Sequence, residues 1–150
     1  MVRLHIREFR LRDYEEVARL WGEAGLTPRP GDGREAIERK LQHDPDLFLI
    51  VEDDHRIIGT VMGAWDGRRA WIYRLAVQPS RQRTGVGKLL IGELERRLKK
   101  KGTLKVNALI YQWNEKSLDF FKALRYEVQS DLVMVGKPVK QRTRRRNVTS

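Results

Sequence analysis

The stretch Leu75-Ala76-Val77-Gln78-Pro79-Ser80-Arg81-Gln82-Arg83-Thr84-Gly85-Val86-Gly87-Lys88-Leu89-Leu90 decides how the rest of the chain is read. An apolar run closes at Val77, a cationic loop follows, two glycines come next, and Leu90, Leu94 and Leu98 then recur at four-residue steps. That order is strand, loop, helix. A helix N-terminus carries about four unpaired amides and roughly half a positive charge. Gly85 and Gly87 allow a ligand close to the backbone, and Arg81, Arg83 and Lys88 add positive charge. The combination predicts a cradle for phosphate. Two common phosphate motifs do not fit it. A P-loop needs glycine where Gln82 stands and Ser or Thr where Leu89 stands. A dinucleotide fingerprint needs a small residue where Leu90 stands. Gln82-Arg83-Thr84-Gly85-Val86-Gly87 does fit Gln/Arg-x-x-Gly-x-Gly/Ala.

Outward from this stretch the chain alternates elements. Leu4 to Phe9 alternates apolar and polar residues, as a half-buried strand does. Asp13 with Glu16 predicts a capping box, followed by Val17, Leu20, Trp21 and Ala24 at helical spacing and a stop at Gly25. Thr27 to Gly33 is loop by composition, and Arg34 to His43 a short helix. Leu47–Val51 and Ile57–Trp65 read as a hairpin, and Asp66-Gly67 turns into a third strand, Ala70–Val77. After the helix Val86–Lys101, capped by Gly102, come a strand over Leu104–Ile110, a helix over Ser117–Leu124 and a last strand over Val128–Val135. The expected fold is α/β: a mixed, mostly antiparallel central sheet of about six strands with helices on both faces.

The hexamer does not stand alone. Val77-x-Pro79, Gln82 and the Gly-x-Gly at the helix start together resemble the acetyl-CoA-binding core of the GNAT superfamily of acyl-CoA N-acyltransferases. Asn114 to Tyr126 is similar to that family's second motif, roughly Asn-x-x-Ala-x-x-φ-Tyr-x-x-x-Gly-Phe with φ apolar. The resemblance spans about residues 3 to 136. It implies the acyl-CoA N-acyltransferase fold and acetyl-CoA as cosubstrate. It implies that the amides of Arg83, Thr84, Gly85, Val86, Gly87 and Lys88 hold the pyrophosphate. It also implies that the strand ending at Val77 parts from the one ending near Tyr111, so that pantetheine lies along Leu75, Ala76 and Val77 as an added strand. Asn114 would bond the pantetheine or a water; as an alternative it caps the following helix. The family's usual Tyr, a proton donor to the departing thiolate, falls on Phe121, and its Gly falls on Arg125. Phe121 has no proton to give, although it also reads as a core residue beside the cosubstrate.

An amine attacking a thioester must first lose a proton, and the thiolate must gain one. Tyr73 and Tyr111 are the phenols nearest the expected thioester, and either is a candidate relay or a plain pocket wall. Period-two alternation places Trp71 and Tyr73 on the face of Leu75. Glu52 and Asp66 read as hairpin carboxylates. Acceptor choice is expected in the loops 25–34 and 66–69, where Arg29, Arg34, Arg68 and Arg69 either suit an acidic acceptor such as a peptide carboxylate or, as is more common, are solvating charges. A polycationic acceptor is disfavoured by the net charge of +11.

That charge is uneven, because the last fourteen residues carry six basic and no acidic ones. One domain over residues 1–138 and a basic, unstructured tail over 139–150 are expected. The tail is a solvated extension before it is a nucleic-acid or ribosome contact, since no aromatic platform interleaves it. The chain has no cysteine, which excludes disulfides, thiolate metal sites and a cysteine nucleophile. His5, His43 and His55 are scattered, so no metal is expected. With no long apolar run and no apolar leader after Met1, neither a membrane span nor a secretory signal is expected, and the address is cytoplasmic. Open sheet edges make a homodimer plausible. The reading is an N-acetyltransferase acting on a primary amine, whether a protein N-terminus, a lysine or a small molecule. The alternatives are a CoA-binding sensory module with little turnover and a basic RNA-associated protein.

Overall fold

A computed structural model describes residues 4–140, which divide into two compact units, one ending at Tyr111 and one starting at Gln112. The first unit is built on a five-stranded sheet in the order β1-β2-β3-β4-β5. The strands are β1 (Leu4–Glu8), β2 (Phe48–Asp53), β3 (Arg56–Trp65), β4 (Ala70–Val77) and β5 (Val106–Ala108). All pairs are antiparallel except β4 with β5, which is parallel. The helices are α1 (Tyr14–Glu23), α2 (Arg34–His43) and α3 (Val86–Lys101).

Strand alternation assigns each helix to a face. Phe48, Ile50, Ile57 and Ala76 pack with Val17, Leu20 and Trp21 of α1 and Ile37 of α2. The other face takes α3, whose Val86, Leu90, Leu94 and Leu98 form one fully buried stripe. Each such side chain contributes about 1.5–3 kcal/mol on leaving water. Gly59 and Gly63 of β3 make room for that stripe: a Cβ on Gly63 would lie 2.5 Å from Leu94 Cδ1, and one on Gly59 would lie 2.7 Å from Val86 Cγ1. Helices therefore cover both faces, as the pattern predicts.

Three local expectations are corrected. Asp13 does not close the first turn of α1. Its carboxylate accepts from the Arg10 amide at 2.7 Å and is paired with Arg7 of β1, so it closes the 3₁₀ turn Leu11–Asp13 one step earlier. Glu16 reaches across to the Ile57 amide at 3.0 Å. The strand expected over Leu104–Ile110 shrinks to Val106–Ala108.

The third correction falls in the second unit, which contains α4 (Glu115–Ala123). No strand forms over Val128–Val135. The Leu132 amide bonds the Gln129 carbonyl at 3.2 Å, so the turn-forming pair Ser130-Asp131 breaks the run. A strand exists only through a partner's ladder, and among the described residues none pairs with this segment. Of the expected tail, residues 141–150 lie outside the described residues.

Candidate active site

Two features of the first unit converge on β4 and its sequel. The first is a loss of pairing. Ala70, Trp71 and Ile72 pair with Val106, Asn107 and Ala108, and there the β4–β5 ladder stops. From Tyr73 to Val77, β4 keeps only its β3 side among the described residues. The ladder ends with β5 itself, which leaves β4 the unpaired edge that the resemblance calls for.

A bulge marks the place. Met62 pairs with Tyr73 and Thr60 with Ala76, so two residues of β4, Arg74 and Leu75, stand opposite Val61 alone. Arg74 takes a left-handed φ of 52°. The extra residue breaks period-two alternation. Ala76, rather than Leu75, shares the face of Tyr73, because their partners Thr60 and Met62 are two apart on β3. The strained arginine is held from outside: its Nε donates to Asp32 Oδ1 at 3.2 Å, Nη2 donates to the Thr27 carbonyl at 2.6 Å and to Asp32 Oδ2, and its guanidinium lies 5.7 Å from the Trp21 ring centroid. Tyr14 donates its hydroxyl to the Asp32 carbonyl at 2.9 Å. The loop between α1 and α2 is thereby tied to the bulge.

The second feature is the start of α3. After Val77 the Gln78 amide bonds Ile58, Pro79–Arg81 makes a 3₁₀ turn, and the chain turns through Arg83 at φ 64° and Gly85 at φ 90°. Gly85 is the N-cap residue, and no side chain caps the turn. The first amide of α3 with a helical partner is that of Leu89, bonded to Gly85 at 3.0 Å. Thr84 donates its hydroxyl to the Arg81 carbonyl, and Gln82 Nε2 donates to the Val77 carbonyl at 3.3 Å, so both side chains serve the loop itself. Arg81 is ion-paired with Asp53. Arg83 and Lys88 stay exposed, and a Cβ on Gly85 would meet nothing within 4 Å. The loop therefore presents amides, two cations and open space, which fits a diphosphate.

The candidate phenols flank the parting strands. Tyr73 precedes the bulge, and its burial, with the Asp66 charge adding to it, pushes the phenol above its ordinary value. Tyr111 follows β5 by three residues and accepts a hydrogen bond from Arg29 Nε. The Arg29 guanidinium also lies over the Tyr111 ring, 4.7 Å from its centroid. Periodicity does not reveal Arg74, Asp32 or Arg29 as partners. Only the loop's Gly31-Asp32-Gly33 hints at a structured turn.

In the second unit, Asn114 caps α4, its side chain accepting from the Ser117 amide at 3.2 Å. Phe121 is buried between Phe120 and Tyr126, with edge-on ring distances of 5.2 and 5.1 Å. Arg125, where the family has glycine, holds φ 72°. Among the described residues no group of acidic or histidine side chains is placed to hold a metal, and no helix is long and apolar enough to cross a membrane.

Comparison with known proteins agrees with this geometry. The model of the acetyltransferase (GNAT) family matches residues 7–126. The acetyltransferase SG1711 of Sodalis glossinidius is 38% identical over 134 residues, covering 89% of this chain and 94% of that protein. The acetyltransferase YE1169 of Yersinia enterocolitica is 40% identical over 134 residues with the same coverage. Among solved structures, the PaiA N-acetyltransferase of Thermoplasma acidophilum in complex with coenzyme A superposes with a TM-score of 0.73 at 21% identity, over 81% of this chain and 88% of that one. A glycine-led helix start beside an opened strand pair, a family match across most of the sequence and near-full-length relatives lead to one conclusion: the chain belongs to the GNAT family and is an acetyltransferase.

Proposed function

We propose that the chain transfers the acetyl group of acetyl-CoA to a primary amine by direct attack, with no covalent enzyme intermediate. The observation that carries this reading is the pairing of an uncapped α3 N-terminus with a β4 whose backbone loses its partner beyond Ile72. The coenzyme A complex of the similar T. acidophilum protein supports the choice of cosubstrate.

Acetyl-CoA supplies an acyl group activated as a thioester. The amides from Arg83 to Lys88 bind its diphosphate, aided by the Arg83 and Lys88 charges. The backbone of Leu75, Ala76 and Val77 pairs with the pantetheine arm as a neighbouring strand would. An amide near Leu75 stabilises the oxyanion of the tetrahedral intermediate. We assign the return of a proton to the departing sulfur to Tyr73, with Tyr111 as the other candidate. Its raised pKa keeps Tyr73 a neutral donor through neutral pH, so its alkaline limb lies above the ordinary phenol value of 10.0. Asn114 and Phe121 belong to the second unit, and we assign them to the cap of α4 and to its aromatic cluster. One catalytic domain over 1–138 and a cytoplasmic address complete the reading.

Calorimetric titration with acetyl-CoA and with CoA, followed by free-thiol release in mixed amines, tests it. Binding of both and amine-dependent release are expected. Binding without release from any amine removes the amine acceptor. Absence of binding removes the cradle. If Tyr73 is the donor, Tyr73→Phe lowers kcat and abolishes the alkaline limb, while an unchanged profile passes the role to Tyr111. Deleting residues 139–150 leaves RNA affinity and its salt slope unchanged on this reading.

A further inference from the structure

The loop between α1 and α2 sets one arginine beside the opened strand pair in an arrangement the transfer reading does not use. Ala108, the last residue of β5, pairs with Ile72, and Tyr111 follows three residues on, where β4 has lost its β5 partner. Arg29 is anchored there twice, by the Nε bond to the Tyr111 hydroxyl and by lying over the ring. Both contacts leave its two terminal nitrogens without a partner among the described residues.

The charge is not neutralised locally. The carboxylate nearest in sequence, Asp32, binds the Arg74 guanidinium through both oxygens and meets Arg29 only at its backbone amide, at 2.8 Å. The loop thus compensates the cation on β4 and leaves that of Arg29 exposed. A guanidinium pinned through Nε and one face presents a preformed fork of two parallel donors, the shape that takes a carboxylate bidentately. Other exposed arginines do not share the place. Arg68 and Arg69 sit in the β3–β4 turn, before Ala70, five residues of β4 away from Leu75, or about 17 Å. Arg34 lies against Tyr14 and Glu15.

We propose that Arg29 binds the carboxylate of the acceptor, and that the acceptor is an amino acid whose α-carboxylate stands beside the amine to be acetylated. The assignment rests on the transfer reading above and names its substrate class. A carboxylate held by Arg29 beside Tyr111 places the neighbouring amine where β4 leaves β5. A polyamine has no group for this fork and is repelled by it.

The test uses the full chain and two probe mixtures, the common α-amino acids and the same amino acids as carboxamides. Acetyl-CoA turnover is expected with the acids. Arg29→Gln should lower kcat/KM for the acids about 10- to 100-fold, mainly through KM, and leave the amides and acetyl-CoA affinity unchanged. Arg29→Lys, which keeps charge without the fork, should recover part of the loss. Arg68→Gln should change neither. A second arm needs no turnover. N-acetylated amino acids, the products, should shift the Arg29 Nε–H resonance, and their amides should not. Equal turnover of acids and amides, equal loss on both in Arg29→Gln, or no resonance shift overturns the proposal even if acetyl-CoA binds. A shift with the acids in a protein that does not bind acetyl-CoA keeps the carboxylate site and overturns the transfer reading instead.

Discussion

The starts of α3 and α4 pose one physical problem and solve it in opposite ways. Each leaves amides of its first turn without helical partners and gathers partial positive charge. At α4 the preceding Asn114 turns its side-chain oxygen onto the Ser117 amide, so the need is met from within. At α3 the preceding residue is Gly85, which has no side chain, and the neighbouring Gln82 and Thr84 bond the loop instead. The contrast teaches how a binding site is read from local chemistry. A helix start that its own sequence declines to cap, reached through left-handed backbone at Arg83 and Gly85, leaves its amides open, as the proposed diphosphate site requires.

The largest expected effect falls on the open end. Gly87→Glu sets a carboxylate in the first turn of α3, where the helix dipole favours it, so the fold is not weakened. On the proposed reading the same carboxylate would meet the diphosphate with like charge. Acetyl-CoA affinity should fall at least ~100-fold while the melting temperature stays within about 2 °C. Calorimetry and a thermal melt decide it, and retained affinity would erase the distinction between the two helix starts. Gly85→Ala probes backbone rather than charge. A Cβ there meets open space, yet φ is 90°, so the variant should lose about 1–2 kcal/mol in urea titration.

The same contrast shows what the sequence exposes. The α3 start was legible because its ingredients are local: glycine positions, a cationic loop and leucines at helical steps. The five strands and three helices of the first unit were legible for the same reason. The β4 bulge was not, because it is a property of pairing: Arg74 is extra only relative to Val61 on another strand. The Asp13 bond to Arg7 and the Arg74 bond to Asp32 join residues that no periodicity links. Val128–Val135 shows the reverse error. Its apolar pattern states competence for a strand, but a turn at Ser130-Asp131 and the lack of a partner ladder leave Val133 and Val135 exposed. Acceptor recognition was legible only as a surplus of arginines in two loops. Only the contact of Arg29 with Tyr111, just past the end of the β4–β5 ladder, sets it apart from the others.

The closed end predicts a smaller effect. Asn114→Ala removes the cap and should cost about 1 kcal/mol, read as a roughly fivefold faster exchange of the Ser117 amide. Asn114→Asp keeps an acceptor oxygen and should restore protection. If the alanine variant leaves exchange unchanged, α4 is held by its side-chain packing alone, and the contrast with α3 loses its energetic content.

The smallest effect lies where α4 ends. Arg125 closes the helix at φ 72°, and its amide bonds the Lys122 carbonyl at 2.9 Å while the Tyr126 amide bonds Phe121, also at 2.9 Å. The left-handed residue lets the chain fold back so that Tyr126 meets Phe121 edge-on. Glycine adopts that conformation without the Cβ penalty, and the family motif has glycine at this position. Arg125→Gly should therefore stabilise this turn by about 0.5–1 kcal/mol, offset in part by the freer unfolded chain. Slower exchange of the Tyr126 amide is the expected sign. Faster exchange would mean that the arginine side chain, exposed as it is, stabilises the turn by more than its backbone costs.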